Sequence, residues 1–183
     1  MDMGPSVTQL TTERLLLRHF RADDLAAYHT AIYDDPEVMR YLPGGAPRPI
    51  ERAREVMDYL EASWQQFDFG GFALCLRDDD RLIGHIGLLK ISRANPPTDE
   101  VELFYAIARP FWGRGYITEA ARAVIDDGFG RRGLERIVAV AVPENTASRR
   151  VMEKLGMTFL GLTRRYYDTE LAYYAIEKSQ WQG

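Results

Sequence analysis

The feature that most restricts the fold is an apolar strand followed directly by a glycine-rich turn and a helix. Residues 101–108 read VELFYAIA, Gly113 and Gly115 follow, and a helix is predicted from about Thr118 to Phe129. Glycine has no Cβ, so the backbone of this turn can approach a ligand closely. A helix amino terminus adds unpaired N–H groups and about half a positive charge. The segment therefore predicts either an anion site suited to a pyrophosphate or a tight turn that binds nothing.

The rest of the chain alternates between helices and strands. The predicted strands are residues 14–20, 72–77, 82–91, 101–108, 137–142, 159–166 and 171–176. The other predicted helices run from Asp23 or Asp24 through Ala31, from Pro49 onward, and up to Gly156. Residues 137–142 (IVAVAV) are almost wholly apolar, as is typical of a strand buried on both faces. This order of elements favours a mixed α/β fold around one central sheet.

Length and charge limit the possible classes of function. The chain has 183 residues, which predicts one domain over residues 1–183 with its core at about 10–178. A hydrophobic fraction of 46% and a charged fraction of 27% exclude bulk disorder. Because 27 acidic side chains outnumber 23 basic ones, general nucleic-acid binding is not expected.

Cysteine and histidine usage argues against disulfides and metals. Cys75 is the single cysteine and lies in an apolar strand, so we expect a buried core thiol. His19, His29 and His85 show no metal-ligand spacing. No stretch has the length of a membrane span, and residues 1–5 lack the pattern of a secretory signal. We therefore expect a soluble cytoplasmic protein without a metal.

A second polar signal opens the helix that ends at Gly156. Asn145, Ser148, Met152 and Leu155 are spaced so that they share one stripe of this helix. The two polar residues at its start are either ligand-binding groups or simple helix caps. The helix by itself leaves both interpretations open.

Two familiar phosphate-binding loops do not fit the glycine turn. A P-loop needs Gly-Lys-Ser/Thr, which the chain lacks. The dinucleotide fingerprint needs a third small residue where Thr118 stands, and its ribose-binding acid follows the next strand, whereas Glu135 precedes it.

Residues 110–120 (PFWGRGYITEA) and 143–157 (PENTASRRVMEKLGM), in this order, resemble the GNAT superfamily of acetyl-CoA-dependent N-acetyltransferases. The chain is most similar to the branch that includes the ribosomal-protein N-terminal acetyltransferases. The resemblance extends from about Leu10 to the final strands. It implies a mixed, mostly antiparallel sheet that is splayed between two central strands, with helices on both faces and acetyl-CoA in the opening.

The resemblance also implies which residues bind acetyl-CoA. The pyrophosphate would lie on the backbone amides of the turn, which comprises Gly113, Arg114, Gly115, Tyr116, Ile117 and Thr118. Arg109 and Arg114 add positive charge there. Backbone groups near Ile107 would meet the pantetheine and the acetyl carbonyl, Asn145 would bond the pantetheine, and Arg150 would face the nucleotide phosphates.

Two residues are candidates for the chemistry. Glu102 is the candidate base, provided that burial raises its pKa; the alternatives are that it only orients the amine, or that it faces solvent beside Glu100. Many members of the superfamily carry a tyrosine as general acid seven residues after the asparagine, where this chain has Met152. Methionine cannot donate a proton, so the resemblance points to Ser148, one turn earlier, as the substitute.

The expected reaction is direct transfer of an acetyl group to a primary amine, either a protein N-terminus or a small molecule. A non-catalytic acyl-CoA-binding module and a dinucleotide-binding protein are the alternatives. Acidic and aromatic residues are candidates for the acceptor site, or belong to solvated turns: Asp34, Asp35, Glu37, Tyr166, Tyr167, Tyr173 and Tyr174. The expected partners are acetyl-CoA and an amine, with no nucleic acid or membrane, in a monomer or homodimer.

Overall fold

The computed structural model describes residues 9–183, so residues 1–5, where no secretory signal is predicted, lie outside the described part. Within that part, eight strands form one sheet. They are β1 (Gln9–Thr11), β2 (Leu15–Arg18), β3 (Gly71–Leu76), β4 (Leu82–Lys90), β5 (Val101–Ile107), β6 (Arg136–Ala141), β7 (Thr158–Thr163) and β8 (Leu171–Glu177).

Five α-helices accompany this sheet in residues 9–183. They are α1 (Leu25–Tyr28), α2 (Pro36–Met39), α3 (Ile50–Phe67), α4 (Tyr116–Gly130) and α5 (Thr146–Lys154). Short 3-10 turns cover Ala22–Asp24, Arg109–Phe111 and Lys178–Gln180, and a π-helical turn covers His29–Tyr33. No helix between residues 9 and 183 is long and apolar enough to cross a membrane.

The sheet is almost entirely antiparallel and opens at one place. Its strand order is β1-β2-β3-β4-β5-β6-β8-β7, and only β5 and β6 run parallel to each other. These two strands pair at a single position, Glu102 with Val138, and separate beyond it. The expected mixed sheet, splayed between two central strands, is confirmed.

Helices cover both faces of the sheet because each presents an apolar stripe to it. On one face, Ile117, Val124 and Ile125 of α4 and Met152 of α5 pack with Leu103 of β5. On the other face lies a second apolar cluster that joins α1, α2 and α3 to β3 and β5; it contains Tyr28, Val38, Ala53, Cys75 and Ala106. Alternate residues of a strand point to opposite faces, so neighbouring residues of β5 serve different layers.

The first helical region differs from its prediction. The sequence predicts one helix through Ala31, whereas the chain passes through a 3-10 turn, α1 and a π-helical turn. Pro36, which follows the end of that predicted helix, begins α2. Proline fits a first helical turn because its missing N–H would have no partner there. The Asp35 carboxylate accepts from the Glu37 N–H at 2.9 Å and caps the new helix.

Candidate functional site

A cavity of about 400 Å³ lies where β5 and β6 separate. It is bounded by the end of β5, the glycine turn, the first turns of α4 and α5, and the segment around α2. The lining residues used below are Glu37, Tyr105, Ala106, Ile107, Trp112, Gly113, Gly115, Tyr116, Ile117, Thr118, Asn145, Ser148, Arg150 and Lys154. The cavity thus brings together most of the residues that the sequence singles out.

The glycine turn exposes a row of main-chain N–H groups to this cavity. Gly113 and Gly115 have φ values of 72° and 79°, which side chains with a Cβ rarely adopt, and Gly115 is the residue that precedes α4. Within residues 9–183, the amides of residues 113–118 donate to no protein acceptor. A helix terminus with free donors attracts an anion.

Arg14 holds this turn in place, which the sequence does not predict. Its guanidinium donates to the Arg114 carbonyl at 3.0 Å and pairs with Glu119 of α4 at 2.7 Å. It also lies 4.5 Å from the centre of the Tyr116 ring. The contacts join residues about 100 positions apart in the chain, so no local pattern could have revealed them.

The basic side chains around the cavity differ in part from those expected. Arg150 lines it, and so does Lys154, which the sequence analysis missed. Arg109 and Arg114 are not among the lining residues. Arg109 instead forms an ion pair with Asp35, with 3.3 Å between its Nε and the carboxylate.

The carbonyl at the end of β5 already has a partner. The indole N–H of Trp112 donates to the Ile107 carbonyl at 2.8 Å. Trp112 is 44% exposed and lines the cavity, so its ring lies beside the backbone that the resemblance assigns to pantetheine.

The start of α5 holds two of the predicted residues together. The Asn145 side-chain carbonyl accepts from the Ser148 N–H at 3.1 Å and so caps the helix, as the alternative interpretation expected. Both residues also line the cavity, so capping does not remove them from it. The Ser148 hydroxyl lies 2.9 Å from the hydroxyl of Tyr105 on β5.

Glu102 is buried on the other face of β5, and it does not line the cavity. Only 8% of the residue is exposed, so the solvent-facing alternative is wrong. Burial raises the pKa of its carboxyl to about 7, against the opposing effect of a hydrogen bond from the Tyr167 hydroxyl. Ala106, on the same face, does line the cavity; at roughly 3.3 Å per residue, it lies about 13 Å along the strand from Glu102.

Glu100, the neighbouring carboxylate, has a different environment. Burial opposes its ionisation, but hydrogen bonds from Tyr166 and Tyr173 and the nearby Arg165 guanidinium hold its pKa below the usual range. Glu100 is thus an anion fixed in a network, whereas Glu102 titrates near neutral pH. A carboxyl of that second kind is suited to proton transfer.

The remaining candidates are divided between the site and the core. Glu37 lines the cavity, which gives that end a negative charge. Burial raises the pKa of Cys75 to about 12 and lowers that of His85 to about 4, so neither is poised to react. Among residues 9–183, no group of three or more potential metal ligands comes together.

Comparison with known proteins identifies the family of the chain. The model of a family described as acetyltransferase (GNAT) domain matches residues 14–158. The chain is 32% identical over 179 residues to YnaD of Bacillus subtilis, described as an uncharacterized N-acetyltransferase, and the match covers 94% of this chain and 98% of YnaD.

Two solved structures share the fold. One is described as a putative ribosomal-protein-serine acetyltransferase from Vibrio cholerae, with TM-score 0.77, 21% identity, and coverage of 94% of this chain and 98% of that one. The other is Mycobacterium smegmatis RimJ in complex with CoA-disulfide, with TM-score 0.75, 23% identity, and coverage of 89% and 81%. The predicted likeness to the GNAT family is confirmed, and the fold is shared with structures described as ribosomal-protein acetyltransferases.

Proposed function

The chain belongs to the GNAT family of acetyltransferases and is an acyltransferase enzyme, and on this basis we propose that it transfers an acetyl group from acetyl-CoA directly to a primary amine. Both substrates would be bound together, and no acetyl group would be held covalently by the protein. The residues 1–183 act as one N-acetyltransferase domain in this proposal, in the cytoplasm.

One observation carries the proposal: the amides of residues 113–118 have no protein acceptor, and their turn borders the cavity at the end of β5, beyond the single pairing with β6. The pyrophosphate of acetyl-CoA is an anion that these donors suit. Arg150, together with Lys154, supplies positive charge on the same cavity wall for the other phosphates. Neither Arg109 nor Arg114 is needed in this role, because neither lines the cavity.

The pantetheine arm fits the next part of the cavity. It carries amide groups, and its partners there are the backbone around Ile107 and the Asn145 side chain. The Asn145 carbonyl is engaged by the Ser148 N–H, but its NH2 group remains a donor. A backbone N–H near Ile107 is also our candidate to stabilise the negative charge that develops on the acetyl oxygen.

The proposed catalytic roles follow from the two protons that must move in the reaction. The amine must lose a proton as it forms the new C–N bond, and Glu102, with a pKa of about 7, accepts it through water. The thiolate that leaves as the C–S bond breaks must gain a proton, and Ser148 supplies it from α5. Water is needed on the amine side because Glu102 lies outside the cavity lining.

The acceptor is a cationic amine, either a protein N-terminus or a small molecule. Glu37 gives the α2 end of the cavity a carboxylate that attracts such a group. Asp35 does not add to this charge, since it is neutralised by Arg109.

Release of CoA from acetyl-CoA in the presence of an amine panel tests this function. The panel contains peptides with free α-amines, lysine-like ε-amines and small polyamines. We expect turnover with at least one class, and mass spectrometry should find an acetyl group on the amine. Tight CoA binding without turnover on any class would support the non-catalytic alternative, and tighter binding of NAD than of CoA would support the dinucleotide alternative.

A further inference from the structure

Helix α5 offers a single hydroxyl to the cavity, that of Ser148, and this hydroxyl has a partner that the sequence does not predict. Met152 has no proton to donate and is only 1% exposed. Ser148, one turn earlier, lines the cavity with Tyr105 of β5. The Tyr105 hydroxyl is 2.9 Å from the Ser148 hydroxyl and 3.2 Å from the Ser148 carbonyl oxygen, so both oxygens are within reach of its one proton and the hydroxyl is the nearer.

We propose that Tyr105 is a positioning residue that orients the Ser148 hydroxyl toward the leaving sulfur and replenishes its proton. The proposal rests on the acetyltransferase function described above. It assigns a role to a residue of β5 that lies outside both the glycine turn and the α5 motif.

A serine hydroxyl alone is a poorly directed donor. Its proton rotates about the Cβ–Oγ bond, and its oxygen carries two lone pairs. When Tyr105 donates to the Ser148 oxygen, one lone pair is used and the serine proton is directed away from Tyr105, into the cavity. The Ser148 main chain is fixed as well, because its N–H donates to the side-chain carbonyl of Asn145.

The proton transfers balance without any further reactant. As the C–S bond breaks, its electron pair goes to sulfur, the Ser148 O–H bond breaks and an S–H bond forms. The Tyr105 proton then moves to the Ser148 oxygen, and solvent water returns a proton to Tyr105. Burial raises the pKa of Tyr105, in spite of the opposing effect of the Ser148 hydrogen bond, so the phenol is protonated at the start of every cycle.

A second tyrosine provides a matched control. Tyr174 of β8 also directs its hydroxyl to α5, where it accepts from the Arg149 guanidinium at 3.0 Å. Tyr174 is fully buried and does not line the cavity, so it is not part of the acceptor site for which the sequence made it a candidate. Removing its hydroxyl therefore disturbs the same helix, next to Ser148, without touching the proposed relay.

The test is a double-mutant cycle on kcat with Tyr105→Phe, Ser148→Ala and the double variant, with Tyr174→Phe as control. We expect Tyr105→Phe to lower kcat by about tenfold or more, as for loss of a group acting in proton transfer, while KM for acetyl-CoA stays within about twofold. In the Ser148→Ala background, Tyr105→Phe should change kcat by less than about twofold, because its effect passes through Ser148. Tyr174→Phe should match the wild type.

Three results would overturn the proposal. They are an unchanged kcat in Tyr105→Phe, an unchanged kcat in Ser148→Ala, and a Tyr105→Phe loss that persists in full in the double variant. Ser148→Ala examines the same contact from α5, so the proposal stays testable even if Tyr105→Phe folds poorly. Absence of turnover in the wild-type protein on every amine would instead reject the acetyltransferase function itself, which separates the two failures.

Discussion

The Tyr167 hydroxyl donates a hydrogen bond to the buried Glu102 carboxylate from the connection between β7 and β8. The adjacent Tyr166 does the same for Glu100, which lies just before β5 and two residues before Glu102. Two neighbouring tyrosines thus bind two carboxylates at the start of β5. The pKa of one carboxyl is raised by burial and that of the other is lowered by its hydrogen bonds, so the pair separates a proton acceptor from a structural anion.

The rate of acetyl transfer should depend on the ionisation of Glu102. Because a base must be deprotonated, we expect kcat/KM to rise with pH and to level off above about 7. Glu102→Gln should lower kcat by about 100-fold or more and abolish this rise, as for loss of a general base. Rate measurements over pH 5 to 9, roughly the range that brackets this ionisation, are the check. A Glu102→Gln variant with a wild-type pH profile would rule out the base.

The ionisation of Glu102 should also affect stability: as pH rises, we expect kcat/KM to increase and the free energy of unfolding to decrease. The pKa of Glu102 is raised from 4.5 to about 7, so the folded protein binds the proton more tightly than the unfolded chain. The protonated carboxyl therefore contributes stability that is fully present below pH 4.5 and is lost as pH rises through about 7. The loss amounts to roughly 3 kcal/mol. Urea unfolding measures this effect. As pH rises from below 4.5 to above 7, the free energy of unfolding of the wild type should fall by this amount relative to that of Glu102→Gln.

Replacing Tyr167 by Phe should raise the pKa of Glu102 further, because the bond from the hydroxyl favours the ionised carboxyl. The rise in kcat/KM should then move to higher pH. Tyr166→Phe is the matched control, since it removes the adjacent hydroxyl, which bonds Glu100 and not Glu102. Comparison of the two pH profiles is decisive: equal profiles for both variants would mean that the Tyr167 bond does not tune Glu102.

Gly115→Val should weaken CoA binding by about tenfold or more, because a side chain at the turn blocks approach to the free amides. Valine is also strained at a φ of 79°, so the control must carry the same strain. Gly133, exposed and at a φ of 65°, lies outside the cavity, and Gly133→Val should bind CoA normally. Calorimetric titration compares the affinities of the two variants for CoA. Equal affinities would mean that the glycine turn does not bind CoA.

Binding of CoA should change the fluorescence of Trp112, whose exposed indole donates to the Ile107 carbonyl inside the cavity. The chain has three tryptophans, so the signal needs an assignment. Trp112→Phe should remove most of the change in emission. Trp181→Phe should retain it, because that indole bonds Asp126 away from the cavity. A change that survives in Trp112→Phe would contradict the position we assign to the arm of CoA.

The sequence predicts the elements of the site better than their contacts. Both helices that border the cavity, and the strand β5 between them, are anticipated because their signals are local: glycines before α4, an asparagine cap before α5, an apolar run for β5. β1 is missed because a strand of three residues carries too little pattern to distinguish it from a loop.

Partners distant in the chain are what the sequence does not reveal. Tyr105 and Ser148 are 43 positions apart and meet only because β5 runs under α5. Tyr167 and Glu102 are 65 positions apart and depend on the path of the last hairpin. Arg109 is expected at the anion site on charge alone, yet its length allows it to reach Asp35. Such pairings are fixed by tertiary packing, which periodicity and spacing do not encode.

The single rung between β5 and β6 has a consequence for how this enzyme can diversify. The gap exists because two main chains stop pairing, so the opening is set by the backbone and not by any one side chain. The opening therefore persists as long as the two main chains keep this path, whichever side chains line it. In the acetyltransferase that we propose, the segment around α2, which also borders the cavity, can change its residues and so admit a different amine without rebuilding that opening.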